Sequence, residues 1–334
     1  MKKYLFLFAV ATLGFTACSN DDVVAENNTL GQQPKEIAFF PLSQPNTRTA
    51  VEGSVFTPTT MQVSAYDATT PCNFFTNVTF TKDETTWKGG KYWPLAPVTI
   101  NFLAYSELTA GSATWNATNP TSAVTLVMGD NKTAQNDLMY ACGTGTVTQS
   151  GNTLTFPDNV PMVFKHAQAY IKFTVKAKTS SEATAITVNS ITLNSVSCQG
   201  TFTVTHTNWD KTKAQRDDAG DTSLDNSVSG AWTSYDTNAG NILAVPAAGY
   251  TALSTSAQDF ASLMVVPDQG IASFTVNYTV DGNDYDYTFT PVSTSLAQAT
   301  KYIYNITFTL HEIEIAATVT DWGNGGSTNV PIFE

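Results

Sequence analysis

Phe274-Thr275-Val276-Asn277-Tyr278-Thr279-Val280, followed by Asp281-Gly282-Asn283-Asp284, is the stretch whose reading decides the fold. Phe274, Val276, Tyr278 and Val280 fall on one side of an extended chain and Thr and Asn on the other. That period of two is the signature of a half-buried strand. The Asp/Gly/Asn cluster sits between two alternating runs and holds the residue types that accept a tight turn, so it reads as a hairpin tip.

The same grammar recurs outward from there. Ile37–Leu42, Met61–Tyr66, Val98–Tyr105, Tyr170–Val175, Ile186–Leu193 and Tyr302–Phe308 are short apolar runs in a chain rich in Thr, Val, Phe and Tyr. Lys88-Gly89-Gly90 is another turn cluster. No apolar pattern with a helical period follows the first fifteen residues. Asn208 to Asn241 is polar and rich in Asp, Ser, Thr and Gly, and is read as a long surface loop. Many short strands with no helices between them disfavour a parallel βαβ sheet and favour an all-β protein of antiparallel β-sandwiches. A break near Lys165–Gln168 divides the body into halves of similar size, 49–166 and 167–334, read as two tandem sandwich domains.

The chain opens with Lys2 and Lys3, then an almost uncharged apolar run from Tyr4 to Phe15. The run is long enough to enter a translocon but too short to span a bilayer. Small residues lead to Thr16-Ala17-Cys18. That order reads as a lipoprotein signal, residues 1–17, with the cut before Cys18 and diacylglycerol on its sulfur. An ordinary secretory signal with a chance cysteine is the alternative. Ser19-Asn20-Asp21-Asp22 is similar to the acidic export tag of surface lipoproteins in Bacteroides-type bacteria. Residues 18–35 read as a flexible tether. The expected location is the outer membrane, facing outward, with the membrane touched only through the lipid of the precursor.

Composition narrows the function. The 334 residues carry a formal net charge of −12, and 13% of them are charged. Such a balance disfavours nucleic acid, whose phosphates need Lys/Arg clusters, and anionic lipid surfaces. If Cys18 is lipidated, Cys72, Cys142 and Cys198 remain, an odd number that leaves room for one disulfide at most. His166, His206 and His311 are scattered; His311-Glu312 begins like a zinc-protease motif, but Ile315 stands where its second histidine belongs. Asp281, Asp284 and Asp286 lack the spacing of a calcium loop and read as a solvated turn. Trp87, Tyr92, Trp93 and Trp115 read as core aromatics in preference to a sugar-stacking platform. No enzyme activity, cofactor or metal is expected. Arg48 stands out in Pro45-Asn46-Thr47-Arg48-Thr49-Ala50: an extended Pro/Thr-rich stretch with one Arg suits a trypsin-like protease, which needs a mobile backbone and a basic side chain.

Taken together, these motifs resemble the fimbrillin-type pilins of Bacteroides-like bacteria. The resemblance runs from the signal ending at Cys18, through Ile37-Ala38-Phe39 and Asn46-Thr47-Arg48, to Tyr92-Trp93-Pro94 and Asn101-Phe102-Leu103-Ala104-Tyr105. It continues with Gln135-Asn136-Asp137-Leu138-Met139-Tyr140-Ala141, Val163-Phe164-Lys165-His166, Val266-Pro267, Lys301-Tyr302-Ile303-Tyr304-Asn305-Ile306 and Val319-Thr320-Asp321-Trp322. It implies two tandem transthyretin-like antiparallel β-sandwich domains. It also implies assembly: an Arg-specific, trypsin-like protease cuts the exported precursor, here between Arg48 and Thr49. Residues 36–48 leave, and a terminal strand of another pilin subunit fills the groove. Four or five apolar side chains at roughly 1.5–3 kcal/mol each would give a gross ~6–15 kcal/mol, much of it offset by ordering and association.

In the leaving strand Ile37 and Phe39 share one face and Ala38, Phe40 and Leu42 the other, with the inward face left open and Pro41 suggesting an edge or a bulge. The candidate donor is 313–334. Ile313, Ile315, Ala317 and Val319 alternate, and Gly323–Gly326 reads as a hinge for Val330 and Ile332. These residues also read as ordinary last strands of the second domain. The expected function is a pilin subunit for surface attachment, with a host or bacterial surface receptor as a further partner. The alternative is a monomeric surface lipoprotein that binds glycans.

Overall fold

Alternating sequence becomes strand along almost the whole chain. The computed structural model describes residues 32–42, 58–67, 72–106, 108, 111–115, 124–128, 137–206, 228–235, 240–244, 246–247, 249–271, 273–291, 295–310, 312–321 and 327–330. The first eleven strands are β1 (Glu36–Leu42), β2 (Thr60–Asp67), β3 (Cys72–Asp83), β4 (Thr86–Tyr92), β5 (Val98–Ser106), β6 (Ser112–Trp115), β7 (Val124–Met128), β8 (Met139–Ser150), β9 (Thr153–Thr155), β10 (Val160–Val163) and β11 (Lys165–His166). After them come β12 (Ala169–Ala177), the helix α1 (Ser180–Ala185), β13 (Ile186–Val196), β14 (Gly200–His206), β15 (Val228–Tyr235), β16 (Gly240–Ala244), β17 (Gln258–Val265), β18 (Ser273–Val280), β19 (Asn283–Phe289), β20 (Thr300–Phe308), β21 (Ile313–Asp321) and β22 (Ser327–Val330).

The fold is all-β and mostly antiparallel, as the sequence leads one to expect. One nine-stranded sheet runs β10-β1-β4-β3-β2-β5-β8-β11, with β9 on β8. It wraps round a core of Ile37, Phe39, Met61, Phe80, Trp87, Trp93, Phe102 and Met162. Two further sheets, β17-β12-β20-β21-β22 and β16-β13-β18-β19, face one another across a second core that includes Phe173, Phe274, Tyr304 and Phe308. The hairpin appears where the alternation placed it. Val280 pairs with Asn283, and Asp281 and Gly282 both take positive φ, the conformation a two-residue turn of this kind demands.

Two pairings are parallel, β1 with β10 and β12 with β20. Both join segments far apart in sequence, and local patterning carries no sign of such a partner. A fourth sheet, β15-β14-β7-β6, takes β6 and β7 from before the Lys165–Gln168 break and β14 and β15 from after it. Its inner face closes a third core of Tyr66, Leu103, Tyr105, Leu126, Tyr140 and Phe202. The break itself is buried: Ala167 and Gln168 are both covered, the Ala167 amide donates to the Leu138 carbonyl at 2.8 Å, and the Leu138 amide donates to Gln168 Oε1 at 2.8 Å. Beside it the His166 ring lies 2.9 Å from the Asp137 carboxylate.

Two readings are corrected. The stretch Asn208–Asn241 contains β15, whose Trp232 packs on Phe202 (centroids 5.2 Å apart) and donates from Nε1 to the Ala167 carbonyl at 2.6 Å. The sheet recruits these residues although their neighbours are polar. The chain also has a helix, α1, six residues long and closed by a Thr179–Glu182 capping box. A helix that short is hidden from any search for a 3.6-residue period.

Candidate assembly site

The segment Gln32–Leu42 is held inside the large sheet, one strand in from β10. β1 runs antiparallel to β4, with Glu36 opposite Tyr92, Ala38 opposite Lys88 and Phe39 opposite Trp87. On its other side it runs parallel to β10, with Phe39 opposite Val160 and Leu42 opposite Val163. This settles the face left open by the sequence. Ile37 and Phe39 point inward with no exposure, whereas Phe40 is 41% exposed. Phe39 meets Phe80 and Phe102 edge to face, with ring centroids 4.9 and 5.0 Å away, the arrangement aromatic quadrupoles favour.

Between the Glu36–Tyr92 and Ala38–Lys88 pairs β4 has more residues than β1, so the bulge lies in β4, at Gly89–Lys91, and β1 stays internal. Pro41 is accommodated because the β4 ladder ends at Phe39, leaving no donor required of residue 41 on that side. Gly89 of β4 lies against the Phe80 ring: a Cβ there would stand 2.8 Å from it, so glycine leaves room for the ring.

Polar clamps flank the strand. Gln32 forks onto Leu154, donating to its carbonyl at 3.1 Å and accepting from its amide at 2.7 Å. The Trp93 amide donates to the Lys35 carbonyl at 2.9 Å, and Lys35 Nζ reaches Asp158 at 2.6 Å. The Gly90 amide donates to Glu36 Oε1 at 2.9 Å. These residues went unnoticed in the sequence, where Gln32–Lys35 looks like the end of a tether. A glutamine that imitates a strand's hydrogen bonding leaves no periodic trace.

Of the residues singled out for processing, Cys18, Arg48 and Thr49 lie outside the described residues, as does Ile332. Arg48 falls in the connection 43–57 that follows β1, so a cut there separates β1 from the rest of the chain. Ile313, Ile315 and Val319 lie in β21, between β20 and β22 and against the second core. Val330 ends β22, which among the described residues pairs with β21 alone, Ser327 opposite Thr320 and Val330 opposite Ala317. β22 is thus the outermost strand of its sheet. The structure does not bring these C-terminal residues together with β1.

The aromatics read as core are so for Trp87 and Trp93, which are buried, while Tyr92 is largely exposed. Cys142 and Cys198 are buried thiols, and Cys198 Sγ donates to the Met264 carbonyl at 3.5 Å. Asp284 and Asp286 accept hydrogen bonds from Thr279 Oγ1 (2.7 Å) and Asn277 Nδ2 (2.8 Å) across the hairpin. Among the described residues no group of side chains is placed to hold a metal.

A fimbrillin-like family model matches residues 47–322. The chain belongs to the fimbrillin-like family. This is a family of structural subunits and not of enzymes. A candidate cell adhesion protein from Bacteroides ovatus shares the fold, with 13% identity, a TM-score of 0.54, and coverage of 87% of this chain and 99% of that one. A fimbrial protein from Bacteroides vulgatus aligns over 87% of this chain and 100% of its own at 12% identity and a TM-score of 0.46. A fimbrial assembly protein from Parabacteroides distasonis aligns over 90% and 100% at 10% identity and a TM-score of 0.38. No curated protein sequence matches the chain. The family match leaves out β1 at one end and β22 at the other.

Proposed function

We propose that this pilin-type adhesion subunit polymerises by protease-triggered strand exchange. The precursor is anchored at the outer membrane through lipid on Cys18 until an Arg-specific, trypsin-like protease cuts between Arg48 and Thr49. β1 then departs and its groove receives an extended strand from another subunit.

One observation carries the reading. The first strand of the fold is internal and buried, yet it is joined to everything after it only through the connection that contains Arg48. Its loss opens a slot with unpaired backbone on both walls, β4 and β10, and an aromatic floor of Phe80 and Phe102. Strand addition satisfies both, since main-chain bonds bind any extended segment and the pockets select alternate side chains. Among the described side chains two large ones point inward, Ile37 and Phe39, and they give roughly 3–6 kcal/mol gross. Main-chain bonding must contribute much of the remainder. A head-to-tail contact of this kind does not close on itself and so propagates a filament.

The chain contains two arginines, Arg48 and Arg216. An Arg216→Lys variant therefore confines an Arg-specific protease to one site. The lipid-free R216K precursor is expected to be cut once, to begin at Thr49, and to form multimers alone or with a partner subunit. With Arg48→Ala added it is expected to stay intact and monomeric. Intact, monomeric protein that binds a polysaccharide after protease treatment would support the glycan-binding alternative instead.

A further inference from the structure

We infer that the β1 groove is built for a strand of a different protein chain that carries an aliphatic–small–aromatic run, and not for this chain's own C-terminal segment. The inference rests on the strand-exchange reading above and names the kind of partner.

The demands of the groove are written in its present occupant. Position 37 takes a branched aliphatic side chain and position 39 an aromatic ring, both without exposure. The ring at 39 is gripped edge to face by Phe80 and Phe102, which also pack within one core with Trp87 and Trp93. Between them Ala38 is 8% exposed, so its place on the opposite face is also nearly covered and admits only a small residue. Its backbone registers with Lys88 of β4. Phe80 is itself packed in a close-packed core with Phe75 and Phe102, so the floor cannot easily rise to meet a smaller guest.

The segments weighed within 313–334 do not meet these demands. Glu314-Ile315-Ala316-Ala317 of β21 repeats Glu36-Ile37-Ala38 but sets Ala317 where the ring belongs. β21 is, besides, paired on both sides. Thr320-Asp321-Trp322 supplies a ring but sets a carboxylate in the covered place of Ala38.

Val330-Pro331-Ile332-Phe333-Glu334 fits in none of the three registers that run in the direction of β1. With Val330 and Ile332 in the pockets the aromatic site is underfilled, and Pro331 falls where Ala38 lies in the ladder. Shifted by two, Glu334 enters the aromatic pocket as a charge. Shifted by one, Phe333 fills it, but Ile332 overpacks the place of Ala38 and Pro331 replaces Ile37. Residues 313–334 thus offer no run that fits the groove, whereas a strand of a dissimilar subunit with the aliphatic–small–aromatic run does.

The test uses the full-length lipid-free R216K chain, cut after Arg48 with an Arg-specific protease. Fluorescein-labelled peptides compete with the cleaved β1 for the groove, and binding is read by fluorescence anisotropy. The peptide Gln32–Leu42 is expected to enter. Its Phe39→Ala form is expected to bind about a hundredfold or more weaker, the usual consequence of removing a buried aromatic ring. The peptide Ser327–Glu334 is expected to bind at least about tenfold weaker than Gln32–Leu42. The same peptide with Pro331→Ala and Ile332→Phe is expected to recover most of that loss. Equal binding of the unaltered Ser327–Glu334 and Gln32–Leu42 peptides would overturn the inference while leaving strand exchange intact. Entry of no peptide, Gln32–Leu42 included, would overturn the strand-exchange reading and this inference with it.

Discussion

Phe39 and Phe80 meet edge to face, their ring centroids 4.9 Å apart and their planes at 73°. The first ring belongs to the segment proposed to be discarded, the second to the body that stays. On that proposal the contact holds the precursor closed, and the loss of β1 would leave an aromatic pocket.

Phe39→Ala is expected to lower the unfolding free energy of the intact precursor by about 3–5 kcal/mol, since it empties a fully buried aromatic site. Urea unfolding followed by fluorescence measures it. In the assembled subunit the substitution should change nothing, because residue 39 is no longer there.

Gly230 lies at the junction between the halves. A Cβ there would stand 2.2 Å from Phe202 Cζ and 2.8 Å from Tyr140 Cζ. Gly230→Ala is expected to cost about 1–3 kcal/mol, with a change in the near-ultraviolet circular dichroism of the surrounding aromatic cluster. An unchanged urea midpoint would show that β15 does not pack there in solution.

Alkali should loosen the same junction. Burial pushes the Tyr105 phenol from its ordinary value near 10 up to about 12, and it raises Tyr140 and Tyr304 as well. The unfolded chain then releases these protons at lower pH than the folded one. The stability they contribute is complete below pH about 10 and is lost as pH rises towards 12. Melting temperature measured from pH 8 to 12 should be flat at first and then fall. Absorbance at 295 nm should show a share of the tyrosines ionising only as the protein unfolds.

Cys142 and Cys198 are buried, and burial pushes the Cys142 thiol well above its usual range. Reaction with a thiol reagent at neutral pH should spare both in the native protein and label both in guanidinium. Fast labelling of the native protein would contradict the third core, of which Cys142 is a member.

Much of this was legible in the sequence. The period of two along Phe274–Val280, with Asp281-Gly282 after it, is enough to specify the hairpin because strand and turn are both local. The inward face of β1 was not legible, because Ile37-Ala38-Phe39-Phe40 is apolar on both faces. Only the facing Phe80 and Phe102 decide it. Parallel partners such as Tyr170 with Lys301 are set by tertiary packing across a long separation, which no window of sequence contains. β15 was missed because its apolar signal is little more than Trp232 among small and polar residues. Arg48 stood out through residue type and setting alone, whereas Gln32, which clamps the same segment, has nothing in its setting to mark it.

The most direct test of the account is the mass and N-terminal sequence of the subunit recovered from assembled surface fibres. The account predicts a chain that begins at Thr49 and carries no Gln32–Leu42 segment bound to it. A chain that begins at a lipid-bearing Cys18, with Phe39 still seated on Phe80, would contradict it.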